Sequence, residues 1–338
     1  MSARTVLVTG GTGFIGSHVA RALADSGDDV VLLDLRAPGP EAERIVGAAG
    51  GRVRFHQAGI DDRLAIRAAC LEHGITDVVH MAAITNTSYL HDHPMEAFTV
   101  NLGGTINVLE VVRELALRRL VYFSTVGVLP AIQYEPIDAR HPIVLGGEGS
   151  GAGFYGSAKA AGELFCFGYR DAFGLDFVAI RPSAVYGFGM QVPIFVKPIV
   201  ENSVRGLPTR VENGRDFGRD YTHVTDLAQL TKRALDAPAE AVRDRVFYGA
   251  TGGPLVTPGQ VADIVRELIP GADIEIGGGL SDDDRWKSRF RGVIDIGPAR
   301  AQLGYEPRFA SIHEGIAEYI ESYRSFVGRE ARAAAPVS

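Results

Sequence analysis

A tyrosine and a lysine stand four residues apart, Tyr155 and Lys159, in the stretch "GAGFYGSAKAAGELF" (151–165). On a helix that spacing puts both side chains on one face, one turn apart. A free phenol, with a pKa of about 10, is a poor base at neutral pH. Bringing it toward 7 takes about 4 kcal/mol of preferential stabilisation of the phenolate. An ammonium one turn away, joined by a second positive charge, can supply that. The phenolate would then take the proton from an alcohol while hydride leaves the same carbon. A hydroxyl must hold the alcohol oxygen, and Ser124 or Thr125 in "YFSTVGV" could do so. The pattern Tyr-x-x-x-Lys also arises by chance, so it needs a partner elsewhere.

A hydride needs an acceptor, and the N-terminus offers a seat for one. "TVLVTGGTGFIGSHVA" (5–20) reads as strand, glycine turn and helix start. Gly11, Gly13 and Gly16 satisfy G-x-G-x-x-G, and Gly10, Gly13 and Gly16 satisfy G-x-x-G-x-x-G. Such a turn lets the backbone approach a pyrophosphate, with the free N–H groups of the helix behind it. Asp34 ends the next strand, where a carboxylate can accept bonds from the adenosine ribose hydroxyls. It would repel the 2′-phosphate of NADP, so NAD is the expected cofactor. Arg36 qualifies that preference, because an arginine can accept a phosphate.

The elements that position these residues follow from the alternation of apolar runs and helical periods. The runs are 5–9, 29–34, 52–56, 76–80, 119–124 and 175–182. Six such strands separated by helices indicate an α/β fold, a doubly wound parallel sheet of Rossmann type. Residues 1–185 are expected to form the NAD-binding domain. Residues 186–326, interrupted by prolines including Pro193, are expected to form a smaller substrate-binding lobe interleaved with it. Residues 327–338 read as a frayed tail. The helix over 99–116 is apolar almost all round, so both its faces should be covered. Either a homodimer built on it and on the helix at Tyr155, or burial within one subunit, would do this.

Composition removes several classes of function. The 338 residues are 46% hydrophobic and 22% charged, as in an ordinary soluble globule. A net charge of −7 without a basic block gives no footprint for nucleic acid. The two cysteines, Cys70 and Cys166, lack metal-ligand neighbours, so neither a disulfide framework nor a metal site is expected. With no apolar run long enough for a membrane and a strand beginning at Thr5, a cytoplasmic protein is expected.

Further motifs carry a resemblance. "TGGTGFIG" with Phe14 and Ile15, "DVVHMAA" (77–83), Asn101, "YFST", "YGSAK", "RPSAVYG" (181–187) and "GRDYTHVTDLA" (218–228) occur in order. Over residues 4–325 the chain resembles the extended short-chain dehydrogenase/reductases, the NAD-dependent epimerase/dehydratase group. The resemblance implies that Ala82 and Ala83 line the pyrophosphate and nicotinamide ribose, with Asn101 also on the cofactor side. Ile60 and Asp61 would lie beside adenine, and Pro182 and Ser183 would meet the carboxamide. Thr125 would take the catalytic hydroxyl position with Ser124 beside it, and Lys159 would hold the nicotinamide ribose. Relatives often carry an Asp where this chain has Gly59.

The residues after Thr125 narrow the reaction. Dehydrating relatives resemble Thr-Asp-Glu here and decarboxylating ones keep a Glu, whereas this chain has Val126 and Gly127, which exchange no protons. Arg219 and Arg285 fall where relatives place arginines on a nucleotide diphosphate. Against a nucleotide sugar, Ala184 replaces the usual Asn, and Val211 or Glu212 stands where an aromatic residue often stacks on the base. Thr85 and Thr87 should face the reacting group, while His91 and His93 read as loop residues. The expected activity is NAD-dependent oxidoreduction at a sugar alcohol, foremost a nucleotide-sugar 4-epimerase. The alternatives are a net dehydrogenase of a free sugar, sugar acid or other secondary alcohol, and a non-enzymatic dinucleotide sensor.

Overall fold

The computed structural model describes residues 4–145, 151–192 and 194–333. Residues 1–3, 146–150, 193 and 334–338 lie outside these. The first half runs β1 (Thr5–Thr9), α1 (Phe14–Asp25), β2 (Asp29–Asp34), α2 (Pro40–Gly47), β3 (Val53–Gln57), α3 (Arg63–His73) and β4 (Asp77–His80). Two short helices follow, α4 (Thr87–Asp92) and α5 (Pro94–Glu96), and a wide π-type segment, Ala97–Gly103, leads into α6 (Gly104–Glu114). Then come β5 (Arg119–Phe123), a 3₁₀ turn at Val126–Val128, α7 (Gly153–Phe173) and β6 (Phe177–Pro182).

The second half holds β7 (Ala184–Tyr186), α8 (Val196–Arg205), β8 (Thr209–Val211), β9 (Tyr221–His223), α9 (Val224–Asp236) and β10 (Val246–Gly249). It closes with α10 (Pro258–Leu268), β11 (Ile274–Ile276), α11 (Asp282–Ser288), α12 (Gly297–Leu303) and α13 (Ile312–Ala333). Helix α13 thus takes in residues 327–333 of the expected tail.

The main sheet is parallel, in the order β10-β6-β5-β4-β1-β2-β3. It has seven strands rather than the six read from sequence, because β10 returns from the second half to pair with β6, Val246 beside Ala179. Strand alternation divides the interior into two cores. Val6, Val8, Val30 and Leu32 join the layer that holds α1 and α9. Leu7, Val31 and Leu33 join the layer under α3, α6 and α7. A third core, built from β7, α8, α10 and α13, belongs to the second half.

The helix read over 99–116 is fully covered on one side and partly covered on the other. Val108, Leu109, Val111 and Val112 are buried, but Phe98 is 61% exposed and Leu102 and Ile106 are half-buried. On α7 the residues Phe154, Leu164 and Phe165 are likewise exposed. Helical spacing places Phe154, Ala161, Leu164, Phe165 and Gly168 along one stripe of α7. No helix among the described residues is long and apolar enough to cross a membrane.

Candidate active site

The strands of the parallel sheet deliver their carboxyl ends to one side, and a cavity of about 1300 Å³ opens there. Gly10 follows β1, Asp34 ends β2, Ala82 and Ala83 follow β4, Ser124 and Thr125 follow β5, and Pro182 ends β6; all line it.

At one end the glycine turn and the first residues of α1, namely Gly13, Phe14, Ile15 and Gly16, face the cavity. A Cβ at Gly16 would stand 2.3 Å from the Gly10 carbonyl oxygen, so only glycine lets the helix begin this close to the turn. Asp34 pins the turn as well as facing the cavity: it accepts bonds from the Thr12 hydroxyl (2.7 Å) and the Thr12 N–H (3.2 Å). Arg36 does not share the site. It is exposed and outside the lining, whereas the neighbouring Leu35, also exposed, lines the open rim of the cavity. Ile60 and Asp61 line the same end, and the Asp61 carboxylate fills the space beyond Gly59, 2.2 Å from where a Cβ would sit.

Tyr155 and Lys159 enter from the first turns of α7. Close approach of that helix to the 3₁₀ turn brings Tyr155 to Thr125: a Cβ on Gly156 would lie 2.4 Å from the Gly127 carbonyl oxygen. Thr125 accepts a bond from the Gly127 N–H (3.1 Å), and its hydroxyl meets the Tyr155 phenol. Burial pushes the Tyr155 phenol up to about 12, and the Thr125 hydroxyl pulls it back. The expected depression is therefore not a property of the protein alone, because the burial cost on the phenolate exceeds what its neighbours return.

Burial pushes Lys159 down to about 8, with Cys166 and Glu163 drawing it upward. Its ammonium rests 5.0 Å from the Tyr122 ring centre, and the Tyr122 hydroxyl donates to the Lys159 carbonyl (3.2 Å). Glu163 is held by Arg181 in a buried pair (2.7 Å) and so does not neutralise the lysine. Ser124 is buried at the cavity wall with its hydroxyl oxygen unpartnered among the described residues. Ser183 lines the cavity while donating to Asp220 (2.7 Å).

Asn101, read as lying on the cofactor side, is engaged by the backbone. It is buried, off the lining, and spends its amide on the backbone of Ile84, accepting from its N–H (2.8 Å) and donating to its carbonyl (2.9 Å). These bonds fix the segment after β4.

The far end of the cavity belongs to the second half. Arg219 lines it, as read from sequence. Arg285 does not: it is exposed and turned back to Asp282 (2.6 Å) on its own helix. Its place is taken by Arg291, which sequence reasoning missed because "RWKSRFRG" offers three arginines and only the turn after α11 selects one. Burial pushes Arg291 down to about 9, and the charge of Arg219 adds to that. Arg219 is also lowered, chiefly by burial. Neither guanidinium has a carboxylate within ion-pair distance among the described residues, and the Nε of each lacks a partner, as does the Tyr221 hydroxyl. Arg219 instead packs on the Phe217 ring (4.4 Å) and Arg291 on Phe290 (4.8 Å). Thr85, Thr87 and His91 line the mouth, His91 within the short helix α4. His93 stacks on Tyr89, and Val211 and Glu212 lie outside the lining.

A parallel sheet, a glycine cradle and a Tyr155–Lys159–Thr125 set on one cavity wall can be compared with known proteins. The model of the NAD-dependent epimerase/dehydratase family matches residues 6–248. The chain belongs to this family. It is 34% identical over 277 residues to the UDP-glucose 4-epimerase of Mus musculus, covering 73% of this chain and 77% of that one. With the UDP-glucose 4-epimerase of Lacticaseibacillus casei it shares 30% over 252 residues, 69% and 73% of the two chains. The crystal structure of the Thermus thermophilus UDP-glucose 4-epimerase with NAD superposes with a TM-score of 0.77 at 28% identity, covering 95% of this chain and 99% of that one. NAD is the cofactor of the family, and the cradle around Gly10–Gly16 with the Asp34 carboxylate fits a dinucleotide.

Proposed function

We propose that this protein is a nucleotide-sugar 4-epimerase that keeps its NAD through the catalytic cycle. The supporting observation is the pair Arg219 and Arg291, a buried and a half-buried cation with no carboxylate in ion-pair distance among the described residues, in the cavity that holds Tyr155, Lys159 and Thr125. A buried unpaired charge is costly, and a diphosphate would neutralise both. The names of the relatives, UDP-glucose 4-epimerases, support the same class of substrate.

NAD held by the Gly10–Gly16 cradle and Asp34 would supply a reversible hydride acceptor for the alcohol carbon. Tyr155 takes the proton of that alcohol, and Thr125, with Ser124 beside it, holds the oxygen through its hydroxyl. The Lys159 ammonium holds the cofactor ribose and favours the phenolate. Thr85 and Thr87 are the hydroxyl contacts at the mouth. Residues 186–326 act as the substrate-binding lobe; their separate core and the return of β10 to the main sheet support an interleaved arrangement. A homodimer would cover the exposed stripe of α7, and two buried free thiols support a cytoplasmic setting.

Purified protein incubated with UDP-glucose should give UDP-galactose without lasting NADH absorbance, and Arg291→Met should raise KM more than it lowers kcat. Stoichiometric NADH accumulating instead, with free sugars or sugar acids as the substrates, would establish the dehydrogenase that Ala184 favours.

A further inference from the structure

Away from the cavity, a cluster of three side chains has no part in binding or chemistry there. His56 lies on β3, the outermost strand of the main sheet, and is half-buried. His73 is the last residue of α3, which the left-handed Gly74 brings to a stop. The two rings meet edge-on, with centres 5.3 Å apart and planes at 86°. His56 Nδ1 and His73 Nε2 are 3.2 Å from one another. Of the Glu72 carboxylate, Oε2 lies 3.9 Å from the first nitrogen and Oε1 3.7 Å from the second, and one of its oxygens lies within 4.8 Å of both. One ligand atom from each residue therefore falls within a sphere that a single ion can fill.

Two imidazole nitrogens bound tetrahedrally to one zinc ion, each at about 2.0–2.1 Å, stand about 3.3 Å apart. The observed separation already matches. We propose that His56, His73 and Glu72 form a binding site for a divalent transition-metal ion of the zinc class, with its fourth position open to water. Two nitrogens and one carboxylate oxygen suit zinc, and Mg²⁺ and Ca²⁺, which want oxygen ligands, are poor occupants. The neighbouring cation is the exposed Arg54, on the same strand, and Glu72 offsets it. The ion would clip the edge strand, hydrogen-bonded to β2 alone, onto α3. Between the ligands in the chain lie Ala58, Gly59, Ile60 and Asp61, which line the cavity, so the clip sits at the base of a loop that the site uses.

The test is calorimetric titration of Zn²⁺ into tag-free, chelator-treated, full-length protein, with Co²⁺ visible absorption as a second readout. One equivalent should bind, raise the melting temperature and, as Co²⁺, give tetrahedral d–d bands. His56→Gln and His73→Gln should each weaken binding at least tenfold, and Mg²⁺ should give no saturable heat. Glu72→Gln, at a side chain 63% exposed, supplies a variant that leaves packing alone and should weaken binding as well. No saturable binding to the wild type, or equal binding to a His56→Gln/His73→Gln double variant that melts like the wild type in chelator, would overturn the proposal.

Discussion

Lys159 is a cation held under the protein surface without a carboxylate of its own among the described residues, since Glu163 is committed to Arg181. Its folded-state pKa of about 8 lies below its ordinary 10.5. The unfolded chain thus binds this proton more tightly than the folded one. The group subtracts stability below pH 8, by up to about 3 kcal/mol, and the deficit fades as pH rises from about 8 to 10.5. Lys159→Met is therefore expected to raise the melting temperature of the cofactor-free protein at pH 7, with a gain that shrinks toward pH 10. The same change should lower kcat/KM about a hundredfold or more, because the cation proposed to hold the cofactor ribose and favour the Tyr155 phenolate would be gone. Calorimetric melts across pH, beside rate assays, check both halves; a melting temperature reduced at pH 7 would mean that the buried ammonium is compensated. The Tyr155 phenol, pushed up to about 12 by burial, makes the complementary point. In the proposed role as base, this residue would need positive charge to arrive with the cofactor.

At the scale of elements, α7 does two jobs. Its inner face carries Tyr155 and Lys159 against the turn after β5, and its outer stripe leaves Leu164 71% and Phe165 46% exposed. A second copy seated on that stripe would remove an apolar surface of a kind seldom left bare. Sedimentation analysis should show a dimer for the wild type and a monomer for Leu164→Asp/Phe165→Asp; a monomeric wild type would contradict this role. The inner face of α7 was legible in the sequence because Tyr155, Lys159 and the glycines that let the helix approach are local in the chain. The cradle at Gly10–Gly16 and Asp34 was legible for the same reason. What sequence did not yield depends on contacts between distant segments. Strand β10 is four residues long, in a stretch where the alternation had loosened, and only its pairing with β6 makes it the seventh strand. Arg291 differs from Arg285 by the turn that ends α11, and the bonds of Asn101 to the Ile84 backbone, 17 residues away, were not legible locally.

For the whole molecule, the return of β10 to the sheet ties the second half to the first. Arg219 and Arg291 line the same cavity as Tyr155 and the cradle. A sugar held by its diphosphate at one end and examined at a single carbon at the other would be oxidised and reduced without leaving. The most direct measurement uses UDP-galactose carrying deuterium on the sugar C4, incubated with the NAD-loaded protein. UDP-glucose that retains the deuterium at C4, with no accumulation of reduced cofactor, is the predicted result. Loss of the label to solvent, or its build-up on a released reduced cofactor, would contradict hydride removal and return within one closed site.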